Sequence, residues 1–161
     1  MSLRKILVEG DPTLNKISRP VEKFNYRLHN LIDDLKETLV KANGVGLAAP
    51  QVGILRRVVI VMDEDGKPLE LVNPEILCQS GEQEDYEGCL SVPELYGMVK
   101  RPNEVTVRAQ DRDGKSFEIT GTELVARCLC HEIEHLDGHL FTEHVTGRMY
   151  TREELEEMIG A

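Results

Sequence analysis

His131 and His135 stand four residues apart with Glu132 between them, in the run His131-Glu132-Ile133-Glu134-His135. On a helix, residues four apart share one face about one turn from each other, so two imidazoles placed this way can close on a single metal ion. Glu132 beside them can take a proton from water activated by that ion, which is the division of labour in a metal-dependent hydrolase. The same residues would also suit a solvated helix carrying two unrelated histidines. The metal reading therefore needs a helix and a third donor.

The helix is supported locally. Thr122 is a good N-cap, Leu124, Leu129, Ile133 and Leu136 are apolar, and Asp137-Gly138 makes a stop. Farther upstream, a first helix is predicted from Tyr26 to Lys41, capped by Asn25, with Leu28, Leu31, Ile32, Leu35 and Leu39 as its apolar stripe. The arm through Pro20 reads as extended, with a turn at Asp11-Pro12. Arg57 to Met62 reads as a buried strand, and Leu69 to Cys78 as another that Pro74 places partly at an edge. Gly81 to Glu87 reads as an acidic loop facing solvent. Glu104 to Gln110 and Lys115 to Thr120 form a hairpin around Asp111-Arg112-Asp113-Gly114. Thr151 and Glu154 make a capping box for a short C-terminal helix. The expected fold class is α+β, with antiparallel strands packed around a central HExxH helix, an N-terminal helix and a short C-terminal helix. No repeat or linker divides residues 1–161, so a single catalytic domain is expected.

The third donor is not settled by spacing. Downstream candidates are His139, Glu143 and His144. The longer signature H-E-x-x-H-x-x-G-x-x-H holds through Gly138 but meets Phe141 where its last histidine should stand, and His139 follows the glycine too closely to swing back. Among the cysteines, Cys130 points about 100° away from His131 on the helix. Cys128 lies on the ligand side and could line the cavity. Cys78 has no distinguishing neighbours. Cys89 sits in Glu87-Gly88-Cys89-Leu90-Ser91-Val92-Pro93, a tight segment with exposed backbone groups, and reads locally as a buried thiol more readily than as a ligand.

Other chemistries are excluded more firmly. Gly44-Val45-Gly46-Leu47-Ala48-Ala49-Pro50-Gln51 has paired glycines, but no Lys follows and Pro50 breaks the run, so it is no phosphate loop. With 19 Lys and Arg against 29 Asp and Glu, the chain carries a net charge of −10. That balance argues against direct nucleic-acid binding and against an anionic membrane surface. No apolar run reaches signal-peptide or membrane-spanning length, so a cytoplasmic protein with four reduced thiols is expected.

Gly44 to Gln51, then Glu87-Gly88-Cys89-Leu90-Ser91, then His131 to His135 resemble the three motifs of the peptide deformylase family, in order and at similar spacing. The resemblance runs from about Arg4 to Val145. It implies a hydrolase that removes the formyl group from N-formylmethionyl nascent chains and releases formate. By position it implies that Cys89, His131 and His135 bind one divalent metal ion, most often Fe2+, with Zn2+, Ni2+ or Co2+ able to substitute. Glu132 would be the general acid/base. Gln51 and the backbone N–H of Leu90 would hold the oxyanion. Val45 and Cys128 would line the methionine pocket, and the backbone at Gly46 and Gly88 would pair with the peptide. Two departures stand out: Glu134 replaces the usual Asp, with Arg101 as an expected partner, and Tyr96 stands where some members carry Arg. Transient ribosome contact belongs to the same picture, although the acidic segment from Thr151 to Ala161 offers no basic docking helix.

Overall fold

The computed structural model describes residues 2–160. Three α-helices and eight antiparallel strands build it, the strands divided between two sheets. The first helix, α1 (Tyr26–Lys41), has the expected bounds, and Asn25 Oδ1 accepts from the Leu28 N–H at 3.3 Å. Its whole predicted stripe is buried.

The larger sheet has the order β1 (Gly46–Ala48), β2 (Val58–Met62), β3 (Pro68–Ser80), β6 (Glu104–Gln110), β7 (Ser116–Thr122). The alternation of side chains explains why β2 reads as an uninterrupted apolar run. Val58 and Ile60 enter the core built on α1, whereas Val59 and Val61 enter the core built on α2 (Glu123–His135). Burying each such side chain contributes roughly 1.5–3 kcal/mol, so both helices are anchored through one strand.

The second sheet has the order β4 (Gln83–Cys89), β5 (Val92–Arg101), β8 (Thr146–Tyr150). Val92, Val99 and Phe141 form its own small core. The expected acidic loop from Gly81 to Glu87 is therefore mostly strand, and Glu87 is buried rather than solvated. Pro74 stands as expected: β2 pairs only with Pro68 to Val72, so beyond Val72 β3 has β6 on one side and an open edge on the other, and its ladder to β6 slips at a bulge between Val72 and Glu75. The open edge and the bulge together accommodate the missing N–H.

Smaller differences occur at the ends. The N-terminal arm contains a 3-10 turn, Pro12–Asn15, capped by Asp11 and seating Leu14 in the core. Thr122 is the N-cap residue of α2, but its side chain makes no capping hydrogen bond. Gly138 ends that segment at φ +81, and a Cβ there would come within 2.6 Å of the Asn15 backbone. The C-terminal helix α3 (Arg152–Gly160) has the predicted reciprocal cap: Thr151 N–H donates to Glu154 Oε1 at 2.9 Å and Glu154 N–H to Thr151 Oγ1 at 3.2 Å. Among the described residues, no helix is long and apolar enough to cross a membrane.

Candidate metal centre

Helix α2 presents His131 and His135 from one face, with ring centroids 5.1 Å apart and both side chains buried. Cys89, at the end of β4, brings its Sγ to 3.4 Å from His135 Nε2. One donor atom from each of Cys89, His131 and His135 lies within 4.8 Å of the others. The downstream candidates are engaged elsewhere. His139 bonds Glu143, both on the exposed surface, and His144 Nε2 sits 3.0 Å from Glu134 Oε2. Phe141, which interrupted the longer signature, stacks on the His131 ring at 5.8 Å and is fully buried, so it forms part of the dry wall of the site.

The orientation of His131 is fixed by charge. Its Nδ1 lies 2.6 Å from Glu87 Oε1, an arrangement in which the Nδ1–H donates to the carboxylate and Nε2 turns toward Cys89 and His135. Glu87 also accepts from Arg101 Nη2 at 2.7 Å and from Arg127 Nη1 at 2.6 Å. Burial opposes the charge on Glu87, but the hydrogen bonds from His131 and Arg101 hold its carboxyl well below the usual range. Arg101 reaches Glu134 Oε1 at 2.8 Å as well, the partner expected for that residue. Two guanidinium and two carboxylate groups thus balance one another beside the site.

Glu132 lies against the backbone of β1. A Cβ at Gly46 would approach Glu132 Oε2 to 2.5 Å, so only glycine allows this proximity. Among the described residues, the buried Glu132 Oε1 has no hydrogen-bond partner, and neither does His135 Nδ1. Burial pushes the Glu132 carboxyl up to about 7; His131 pulls it back in part, and Glu87 and Glu134 add to the rise. Burial and the neighbouring His131 hold the His135 imidazole well below its usual value, which favours the neutral, lone-pair-bearing form.

Gln51 follows β1 in a short 3-10 turn, Ala49–Val52. Its Oε1 accepts from the Ala48 N–H at 2.9 Å, and its Nε2 donates to Ser91 Oγ at 3.0 Å while facing Cys89 Sγ at 3.5 Å. The amide is thereby locked with its donor end toward the centre. Val45, Gly46, Gly88, Leu90 and Cys128 all line one cleft of about 540 Å³ that opens on Cys89, His131 and Glu132. Burial pushes the Cys128 thiol up to about 12, so it lines the cleft as a neutral, polarizable surface. The cleft separates two free strand edges, that of β1 in the larger sheet and that of β4 in the smaller.

Sequence reasoning missed Glu87 and Arg127. A usable signal existed for the first: residues two apart in a strand share a face, so a Cys89 turned to the helix brings Glu87 with it. Arg127 lies one turn before His131 on α2, but nothing local marks it as Glu87's partner.

The chain is similar to known proteins in sequence and in fold. A family model described as polypeptide deformylase matches residues 3–149. A peptide deformylase of Agathobacter rectalis is 53% identical over 150 residues, covering 93% of this chain and 94% of the relative. One from Caldicellulosiruptor bescii is 52% identical, covering 98% and 93%. The crystal structure of a peptide deformylase from Legionella pneumophila superposes with a TM-score of 0.86 at 49% identity, covering 89% of this chain and 86% of that one.

Proposed function

This chain belongs to the polypeptide deformylase family, and we propose that Cys89, His131 and His135 hold the divalent ion on which its hydrolysis of N-formyl amides depends. The protein is a hydrolase that removes the N-formyl group from nascent polypeptides. The observation that carries the ligand assignment is the convergence of a thiol and two imidazoles within 4.8 Å. Such a set leaves a position open for a reactant. The buried, unpartnered Glu132 Oε1 beside it fits the same site, since a carboxylate oxygen without a partner there needs a polar ligand. Ferrous iron is the proposed ion, with zinc, nickel or cobalt able to use the same donors.

When bound, the ion acidifies water and polarises the formyl carbonyl. Glu132 accepts a proton from the attacking water and delivers it to the amine nitrogen as the C–N bond breaks, leaving formate and a free amino terminus. Gln51 Nε2 and the Leu90 N–H stabilise the negative oxygen, each contributing roughly 3–4 kcal/mol if they act as oxyanion donors elsewhere do. A neutral amide suits that role because it donates without titrating. Val45 and Cys128 receive the methionine side chain, and the free edges at Gly46 and Gly88 pair with an extended peptide. The protein works as a single catalytic domain, in the cytoplasm, on N-formylmethionyl chains presented transiently near the ribosome.

The test is formate release from formyl-Met-Ala-Ser by protein purified without oxygen, with metal content measured on the same sample. Release that vanishes in Glu132→Gln while one ion per chain remains would support both the reaction and the base. Full metal occupancy with no formate would overturn the reading.

A further inference from the structure

Beyond Gly88 the cleft is walled by two side chains that the hydrolysis itself does not use. Tyr96, on β5, lays its ring over Gly88: a Cβ at that position would come within 2.5 Å of Tyr96 Cε2. Arg152, the first residue of α3, donates through Nη2 to the Tyr96 hydroxyl at 3.1 Å, with its guanidinium carbon 5.8 Å from the ring centre. Both residues line the cleft that contains Cys89 and Glu132. Two cations border this cleft. Arg127 is buried and fully engaged by Glu87, Gln83 and the Val99 carbonyl. Arg152 is exposed and forms no ion pair among the described residues. One N–H rests on Tyr96, and a guanidinium has five to offer, so the rest are free for a ligand.

We propose that Arg152, anchored on Tyr96, is a specificity determinant that favours N-formyl peptides bearing a carboxylate one or two residues after the formylmethionine. The inference rests on the deformylase reading above. A peptide held in extended form against β4 advances about 3.3 Å per residue, so residues following the methionine run from Cys89 past Gly88 onto this pair. Elsewhere the net charge of −10 disfavours acidic peptides. A local guanidinium reverses that bias at one subsite. Because the pair lies away from the reacting bond, its effect falls on KM rather than kcat.

The experiment uses the metal-loaded enzyme and four C-terminally amidated peptides: formyl-Met-Asp-Ala, formyl-Met-Ala-Asp and their Lys counterparts. The expected result is a lower KM for the better Asp peptide than for its Lys counterpart, by about three- to tenfold at low salt, shrinking as salt is added. Arg152→Glu should invert that order. Tyr96→Phe, which removes the anchoring hydroxyl, should weaken the preference without inverting it. Helix α3 buries no residue, so Arg152→Glu should melt with the parent, and Tyr96→Phe removes only a hydroxyl from a half-buried ring. An Asp-to-Lys ratio that is the same in the parent and in Arg152→Glu would overturn the proposal while leaving deformylation intact. Formate from none of the four peptides would overturn both.

Discussion

His131 and His135 stand one turn apart on α2, yet they are held by different forces. His131 leans on Glu87, which is itself gripped by Arg101 and Arg127. His135 is wholly buried, and its Nδ1 has no hydrogen-bond partner among the described residues. One imidazole is oriented by a charge network that originates in β4 and β5, the other by packing and by the Cys89 thiol at 3.4 Å from its Nε2. Glu132 belongs with the second group, since its Oε1 is also unpartnered and its position is set by the bare backbone of Gly46. The centre thus joins a stiff half, cross-linked by charge, to a half in which Glu132 Oε1 is left unpartnered beside the cleft.

The sharpest way to break the comparison is Glu87→Ala. It strands two buried guanidinium groups, so the fold should lose about 3–5 kcal/mol in urea titrations, and metal affinity should fall about 10–100-fold. A stability loss under 1 kcal/mol would show that Arg101 and Arg127 find other partners and that the network does not hold His131. Next comes Gly46→Ala on the other half. The added methyl must displace Glu132, so kcat should drop roughly 100-fold with metal content unchanged. A normal kcat would mean that the carboxylate does not depend on this proximity. Glu134→Asp shortens the arm that joins Arg101 to His144 and should alter metal affinity by no more than about threefold, because Glu87 still carries the load. A loss as large as that of Glu87→Ala would make the outer carboxylate an equal partner.

The smallest effect tests a charge cluster far from the centre. Glu70 is paired with Arg112 and Lys36 near the surface. Burial raises its carboxyl, but these two cations outweigh it and bring the net shift below the ordinary 4.5. A depressed folded-state value contributes stability above pH 4.5 that is lost as pH falls toward the lowered value. Glu70→Gln should therefore reduce the melting temperature slightly at neutral pH and flatten its fall in acid, with turnover unaffected. Equal acid sensitivity in both proteins would remove Glu70 from the account.

These contrasts also show what a linear sequence can disclose. The two histidines, the bounds of α1, the β6–β7 hairpin and the reciprocal cap of α3 are all written in spacings of two to four residues, and the structure has them where those spacings put them. The smaller sheet is not written that way. Its strand β4 reads as polar because Glu84, Asp85 and Glu87 interrupt any apolar alternation. The burial of Glu87 depends on Arg101 and Arg127, 14 and 40 residues away. Pro74, by contrast, is informative: β2 stops pairing at Val72 and leaves that end of β3 at an edge, with a bulge toward β6 that no local spacing announces. Cys89 as a third donor emerged from family resemblance, since its local surroundings suit a plain buried thiol better than a ligand.

The two free strand edges that border the cleft have a consequence for timing. A cleft bordered by strand edges suits a backbone that is still extended and does not suit one already coiled into a helix or sequestered in a hairpin, because only an extended segment can add to a sheet edge. Removal of the formyl group therefore races the folding of each chain's own amino terminus. Helices form within microseconds once enough residues have emerged, whereas synthesis adds only about 5–20 residues per second. The window in which this cleft can act closes chain by chain, as each new amino terminus finds its own structure.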